Sequence, residues 1–297
     1  MKQTSRKRIF ALLLTLGILA FVVVGLGYGI LSYLNGTRLG VRSSAAALTN
    51  LARATLNRPP AGNPEEIDDI FFLHHSVGQN LIDQGDVRQR FTEAGYDFWD
   101  QGYNVDEGQR DPAGKRLNHV YYVPHDNTDP DGLEVVFSQP TFSLPLNTFS
   151  GLLQHDVIIV KSCFPNSQIT SDEELEQYKA WYRSMRSAFD RHPDRLFIVV
   201  TQPPLNPAVT TPEAAVRARA LANWLASEEF LAGHDNLAAF DLFTLLAEDD
   251  PDSPEFNMLR AGYREGSDSH PTQPANEAIG PLFVDAVLQA IEAYRSR

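Results

Sequence analysis

Three short stretches of this sequence hold side chains suited to attack on a carbonyl group. The first is Phe71-Phe72-Leu73-His74-His75-Ser76-Val77-Gly78, where an apolar run ends and helical spacing begins, so that a serine hydroxyl stands at a strand-to-helix turn. Such a turn exposes the hydroxyl and aims helix N–H groups at developing negative charge. A helix N-cap uses the same residue type in the same place. The second is Ser267-Asp268-Ser269-His270-Pro271, just before the final helical pattern. A serine nucleophile needs a neutral imidazole to accept its proton, which His270 offers, and the imidazole needs a carboxylate or its equivalent to fix its tautomer, for which Asp268 or a near neighbour is placed. His192-Pro193, between a helix and a strand at the opposite edge, is the structural counterpart of this motif. The third stretch, Ser162-Cys163-Phe164-Pro165-Asn166-Ser167, offers the Asn166 amide as an oxyanion donor, although asparagine before a helix is also an ordinary turn residue.

The elements that must bring these stretches together can be read from the hydrophobic pattern. Apolar runs at Ile67 to Leu73, Tyr96 to Trp99, Asp156 to Lys161, Arg195 to Thr201 and Leu237 to Asp241 read as five strands, alternating with helical patterns. A helix is expected from Ser76 to about Ala94, stopping at Gly95. Ser171-Asp172-Glu173-Glu174 is a capping box that starts a helix to about Arg191, and Thr211-Pro212-Glu213 opens another that ends near Gly233. The last helix runs from about Ala275 to Tyr294 with Ile279, Phe283, Ala286, Val287 and Ile291 on one face. This alternation predicts an α/β, three-layer, doubly wound domain with a five-stranded parallel sheet, whose chemistry sits at the carboxyl ends of the strands. The segment 104–150 breaks the alternation and reads as a long loop insertion over that edge.

A strand then Ser76, a strand then Asn166, and Asp/His-Pro before the last helix resemble, in that order, the SGNH/GDSL hydrolase superfamily across residues 67–295. The resemblance implies a flavodoxin-like α/β/α sandwich and an ester hydrolase with Ser76 as nucleophile and His270 as base. It also implies an oxyanion hole built from Asn166 and a glycine, either Gly102 or Gly108, with Gly102 the choice, and it suggests acylated carbohydrate as substrate. The sequence departs from the pattern in two places. His74-His75-Ser76 stands where the family has Gly-Asp-Ser, which marks a divergent branch. The acid normally three residues before the histidine falls on Ser267, leaving Asp268, Glu265 or a bare Ser-His dyad.

Two other classes compete. Adjacent His74 and His75 at a strand end, with His270, suggest a metal-dependent hydrolase, but neighbouring side chains on a strand point to opposite faces and do not readily share one ion. A glycan- or protein-binding domain that kept the fold and lost the chemistry is the other. Asn127-Thr128-Asp129-Pro130-Asp131-Gly132 is similar to the first half of a calcium loop, but the twelfth position is Ser138 and turn chemistry accounts for the same residues. No cofactor and no metal are expected. Tyr121, Tyr122, Phe137 and Phe142 are candidates for a substrate cleft or for packing the insertion on the core.

Ahead of this domain, Ile9 to Leu34 is free of charged side chains for 26 residues, enough for a helix of about 39 Å. That exceeds the ~30 Å hydrocarbon core of a bilayer. Residues 1–8 then read as a cytoplasmic basic leader, 9–34 as a single-pass transmembrane signal anchor, 35–64 as a linker, and 65–297 as the hydrolase domain. Cleavage near Ala47 is the alternative to a retained anchor. Lys2, Arg6, Lys7 and Arg8 before the span place the domain outside the cytoplasm, in keeping with a bacterial cell envelope. Residues 1–58 hold eight of the 25 basic side chains and none of the 38 acidic ones, so the domain is strongly acidic and nucleic acid is excluded as a partner. The single cysteine, Cys163, rules out an internal disulfide and leaves stability to the core.

Overall fold

The computed structural model describes residues 23–34, 36, 41–56, 66–102, 108–124 and 130–297. Its strands are β1 (Asp69–Leu73), β2 (Asp97–Gln101), β3 (Gln109–Arg110), β4 (Val157–Lys161), β5 (Leu196–Val200) and β6 (Leu237–Phe240). Its helices, in chain order after residues 23–34, are α1 (Val41–Leu56), α2 (Ser76–Gln84), α3 (Val87–Glu93), α4 (Pro130–Phe137), α5 (Thr148–Leu152), α6 (Asp172–Phe189), α7 (Pro212–Leu225), α8 (Glu228–Leu231), α9 (Leu242–Leu246) and α10 (Gln273–Arg295).

The sheet has the order β3-β2-β1-β4-β5-β6. All five expected strands are present and parallel, and the sixth, β3, pairs antiparallel with β2 through Asp100↔Arg110 and Gln101↔Gln109. The five-stranded expectation is therefore corrected to six. The extra strand comes from the segment read as loop, and at two residues it is too short to show a period. Taken without β3, the order is the 2-1-3-4-5 arrangement of flavodoxin-like sheets, whose switch point falls between β1 and its neighbours.

Each central strand is buried on both sides, which is why it reads as a continuous apolar run. Phe71, Leu73, Ile158, Val160, Phe197 and Val199 face a layer formed by α4 to α8. Ile70, Phe72, Val157, Ile159, Ile198 and Val200 face α2, α3, α9 and α10. Tyr121 and Phe137 of the insertion are buried in the first layer, so they serve the core. Within the insertion, Pro130 to Gly132 form the first turn of α4, with the Asp131 carboxylate accepting from the Gly132 N–H at 2.6 Å; 125–129, which hold the rest of the calcium-like stretch, lie outside the described residues.

The helix expected from Ser76 to Ala94 is two helices. Asp86, at φ 56°, breaks it, and Gly95, at φ 88°, ends α3 as expected. The break lies at a close crossing. A Cβ on Gly85 would lie 2.7 Å from the Asn276 carbonyl oxygen and 2.8 Å from the Gly280 Cα, and one on Gly280 would lie 2.3 Å from the Gly85 carbonyl oxygen. Two glycines thus let α10 press against the end of α2, which brings the loop before α10 to the start of α2.

The segment expected as a linker contains α1, whose Ala54 is buried in the core and whose Arg53 donates to the Asn118 carbonyl at 2.7 Å. Its alanine-rich composition favours helix more than its polar residues favour linker. Among the described residues no helix is long and apolar enough to cross a membrane, and 9–22 of the expected span lie outside them.

Gly280→Ala should lower stability by about 1–3 kcal/mol through overpacking. The sign is diagnostic, because alanine in an open helix site adds up to ~1 kcal/mol relative to glycine. Guanidinium unfolding measures it; a variant as stable as the parent contradicts the crossing.

Candidate active site

Ser76 opens α2 directly beyond the carboxyl end of β1, after His75 in extended conformation. Its hydroxyl donates to His270 Nε2 at 2.6 Å across 194 residues of chain. The opposite nitrogen, Nδ1–H, donates to Asp268 Oδ1 at 2.7 Å, and the His270 main-chain N–H donates to the same oxygen at 3.1 Å. The imidazole is therefore in the tautomer that leaves Nε2 free to take a proton from serine. These are the three residues that the sequence pattern singled out, and the structure brings them into one hydrogen-bonded chain.

The loop carrying Asp268 and His270 has no regular structure and is held by a residue the sequence reading passed over. Asn206, buried just beyond β5, donates its side-chain amide to the carbonyls of Gly266 at 3.1 Å and Asp268 at 2.8 Å, and its main-chain N–H donates to Ser269 Oγ at 3.0 Å. Asn276, in the first turn of α10, bonds Gln84 Oε1 at 2.7 Å and ties α10 to the end of α2. An Asn-Pro at the carboxyl end of a strand was the available signal for Asn206.

Burial pushes the Asp268 carboxyl up, but the hydrogen bonds from the His270 ring and main chain together with the field of that ring outweigh it and hold it below the ordinary range. The Asp268 side chain is 62% exposed and the His270 side chain 29%. With so much solvent at the carboxylate, its contribution is to orientation more than to buried charge stabilisation.

Asn166 lies in the 3₁₀ turn Phe164–Ser167 that follows β4, the neighbour of β1. Phe164 meets the His270 ring edge-on at 5.1 Å, so the turn borders the Ser76–His270 pair. The Asn166 side chain is fully buried, and neither its Nδ2 nor its Oδ1 has a hydrogen-bond partner among the described residues. A buried amide with no protein partner has its hydrogen-bonding groups available to a water or a ligand. Gly102 is buried directly after β2, on the other side of β1. Gly108, the other glycine considered, opens the short β3 at φ 66°. Glu265 lies in the same loop, but the carboxylate bonded to His270 is that of Asp268.

His74 does not face the Ser76–His270 pair as a ligand. Its Nε2 is 3.0 Å from Asp100 Oδ2 and its Nδ1 is 2.8 Å from the His75 carbonyl oxygen, so neither nitrogen has a lone pair for a metal. Among the described residues no group of three or more His, Cys, Asp or Glu could hold an ion.

No family model and no curated protein matches the chain. Solved structures do resemble it. A Bacteroides fragilis chain described as a candidate acylhydrolase superposes with a TM-score of 0.50 at 13% identity, over 84% of this chain and 98% of its own. A Streptococcus pneumoniae chain described as a candidate platelet activating factor gives 0.47 at 10% identity, over 93% and 99%. The C-terminal catalytic domain of the peptidoglycan O-acetyltransferase A of Streptococcus pneumoniae gives 0.41 at 10%, over 76% and 96%. At these identities the likeness to the first is one of fold.

Lys161, at the carboxyl end of β4, is fully buried, donates to the Ser162 carbonyl at 2.8 Å, and joins no ion pair among the described residues. Burial lowers its pKa to about 8 from 10.5. Between those values the unfolded chain binds more protons than the native one, so this group makes stability rise with pH. Lys161→Met should be more stable than wild type at pH 7, and that advantage should shrink by about 3 kcal/mol by pH 10.5. Denaturant midpoints across this range measure it; a gap that does not change with pH contradicts the assignment.

Proposed function

We propose that this protein is a serine ester hydrolase that removes acyl groups, O-acetyl groups on carbohydrate among them, through an acyl-enzyme on Ser76. The observation that carries the reading is the continuous chain from the Ser76 hydroxyl through both nitrogens of His270 to the Asp268 carboxylate. The N-cap position belongs to His75, so capping does not account for Ser76, nor for a histidine arriving from the far end of the chain with its tautomer fixed.

In the proposed reaction the Ser76 oxygen attacks the ester carbonyl carbon while His270 Nε2 takes the hydroxyl proton. Asp268 keeps Nδ1–H oriented and stabilises the imidazolium that forms. The tetrahedral oxyanion is met by the Asn166 amide and by main-chain N–H groups at the start of α2 and after β2 at Gly102. Collapse expels the alcohol, which takes the proton from His270. Water then attacks the acyl-serine with His270 again as base, releasing the carboxylic acid and restoring the hydroxyl. The B. fragilis chain of similar fold bears the description of a candidate acylhydrolase, which agrees with this class of reaction at the level of fold.

The location we propose is the outer side of a membrane, with residues 9–34 as anchor. Its support is the uncharged run itself and the exposure of Val23, Val24, Leu26 and Ile30 in its described part.

Hydrolysis of p-nitrophenyl acetate and butyrate tests the reading. Ser76→Ala and His270→Ala should each lose at least 1,000-fold in kcat/KM, and Asn166→Ala roughly 100- to 1,000-fold, the usual loss of one oxyanion donor. A Ser76→Ala variant that keeps wild-type turnover would overturn the mechanism, and a fully active Asn166→Ala would remove that residue from it.

A further inference from the structure

Beneath the turn that presents Ser76 lies a second imidazole–carboxylate pair that the hydrolytic mechanism does not use. The His74 side chain is fully buried and that of Asp100 nearly so. One Asp100 oxygen faces His74 Nε2 at 3.0 Å, and the other is bound by the Arg88 guanidinium. Arg88 also donates to the Phe98 and Asp111 carbonyls at 2.5 and 2.8 Å, which fixes it in α3 against β2. Burial pushes the Asp100 carboxyl up, but the His74 hydrogen bond and the charges of His74, Arg88 and Arg110 outweigh it, so it remains a carboxylate. Arg110 itself is 3.8 Å from Asp83.

The protonation of His74 follows from its partners. A carboxylate paired with arginine only accepts, and so does the His75 carbonyl, which lies 2.8 Å from Nδ1. Each ring nitrogen thus faces an acceptor, an arrangement that a ring with hydrogen on both nitrogens satisfies.

The same carbonyl accepts the Gln79 N–H at 2.9 Å, the bond that closes the first turn of α2. His74 thus grips the residue immediately before Ser76. The fit leaves no room for any other side chain, since a Cβ on Gly78 would lie 2.4 Å from the His74 Cβ and 2.8 Å from its Cγ. The Phe72 ring packs on the imidazole at 5.0 Å.

We propose that His74, held as an imidazolium by Asp100 and Arg88, is a positioning residue that fixes the His75–Ser76 turn and adds positive charge at the helix end where Ser76 reacts. The role rests on the serine-hydrolase reading above. It gives the His-His-Ser sequence a reason, in that the first histidine supports the turn from within.

Long-range ¹H–¹⁵N correlation of histidine-labelled full-length protein, with His74 assigned by its loss in His74→Asn, reads the charge state directly. Both His74 nitrogens should resonate as N–H in wild type, and Asp100→Asn should return one to the unprotonated form. One unprotonated nitrogen in wild type at pH 7 overturns the imidazolium. Kinetics read the role. His74→Asn and Asp100→Asn should lower kinact for a fluorophosphonate about 10- to 100-fold, the equivalent of one charge-assisted hydrogen bond. The KI of the probe should change less than about threefold, because the groups contacting it are unchanged. An undiminished kinact in a folded variant overturns the positioning role. A wild type that never labels overturns the hydrolase reading and the role together, and the NMR result stands or falls by itself.

Discussion

A single hydrogen bond between Ser76 Oγ and His270 Nε2 sets the terms for the rest of the molecule. Its two residues come from the first helix after β1 and the loop before the last helix, so it exists only if α10 returns across the sheet and stops against α2. The paired glycines at 85 and 280 allow that approach, and Asn276 bonded to Gln84 fixes its register. Asn206 then holds the irregular loop that carries Asp268 and His270. None of these groups is hydrogen-bonded to the Ser76 hydroxyl or the His270 ring, yet together they place the elements that carry the pair.

The electrostatics of the site divide by depth. Asp268 stands in solvent and acts by direction, fixing the ring of His270. Asn166 is buried with its hydrogen-bonding capacity unspent, a state that a ligand oxygen would relieve. Deeper still, the arginine, aspartate and histidine beneath the turn satisfy one another where charged groups are poorly screened.

Much of this was legible in the sequence because the responsible signals are local. The β-branched runs of β4 and β5 announce buried parallel strands, and Ser171 caps α6 as its capping pattern requires. Ser76, His270 and Asp268 stood out because each lies where a strand or loop meets a helix. What escaped were features set by partners distant in sequence. The break at Asp86 sits beside the crossing of Gly85 with Gly280, nearly two hundred residues later, and β3 gains its identity only by pairing with β2. Asp100 escaped because the strand was expected to end at Trp99, whereas β2 runs on through Asp100 and Gln101, both buried against partners distant in sequence. The helix α1 was missed because alanine-rich sequence with a few polar residues suits linker and helix alike.

The most direct measurement is intact-mass analysis and peptide mapping after treatment of the protein with a fluorophosphonate. The account predicts one adduct per chain, located on Ser76, absent from Ser76→Ala and strongly slowed in His270→Ala. A folded wild type that takes no adduct, or one labelled at a different serine, would contradict it.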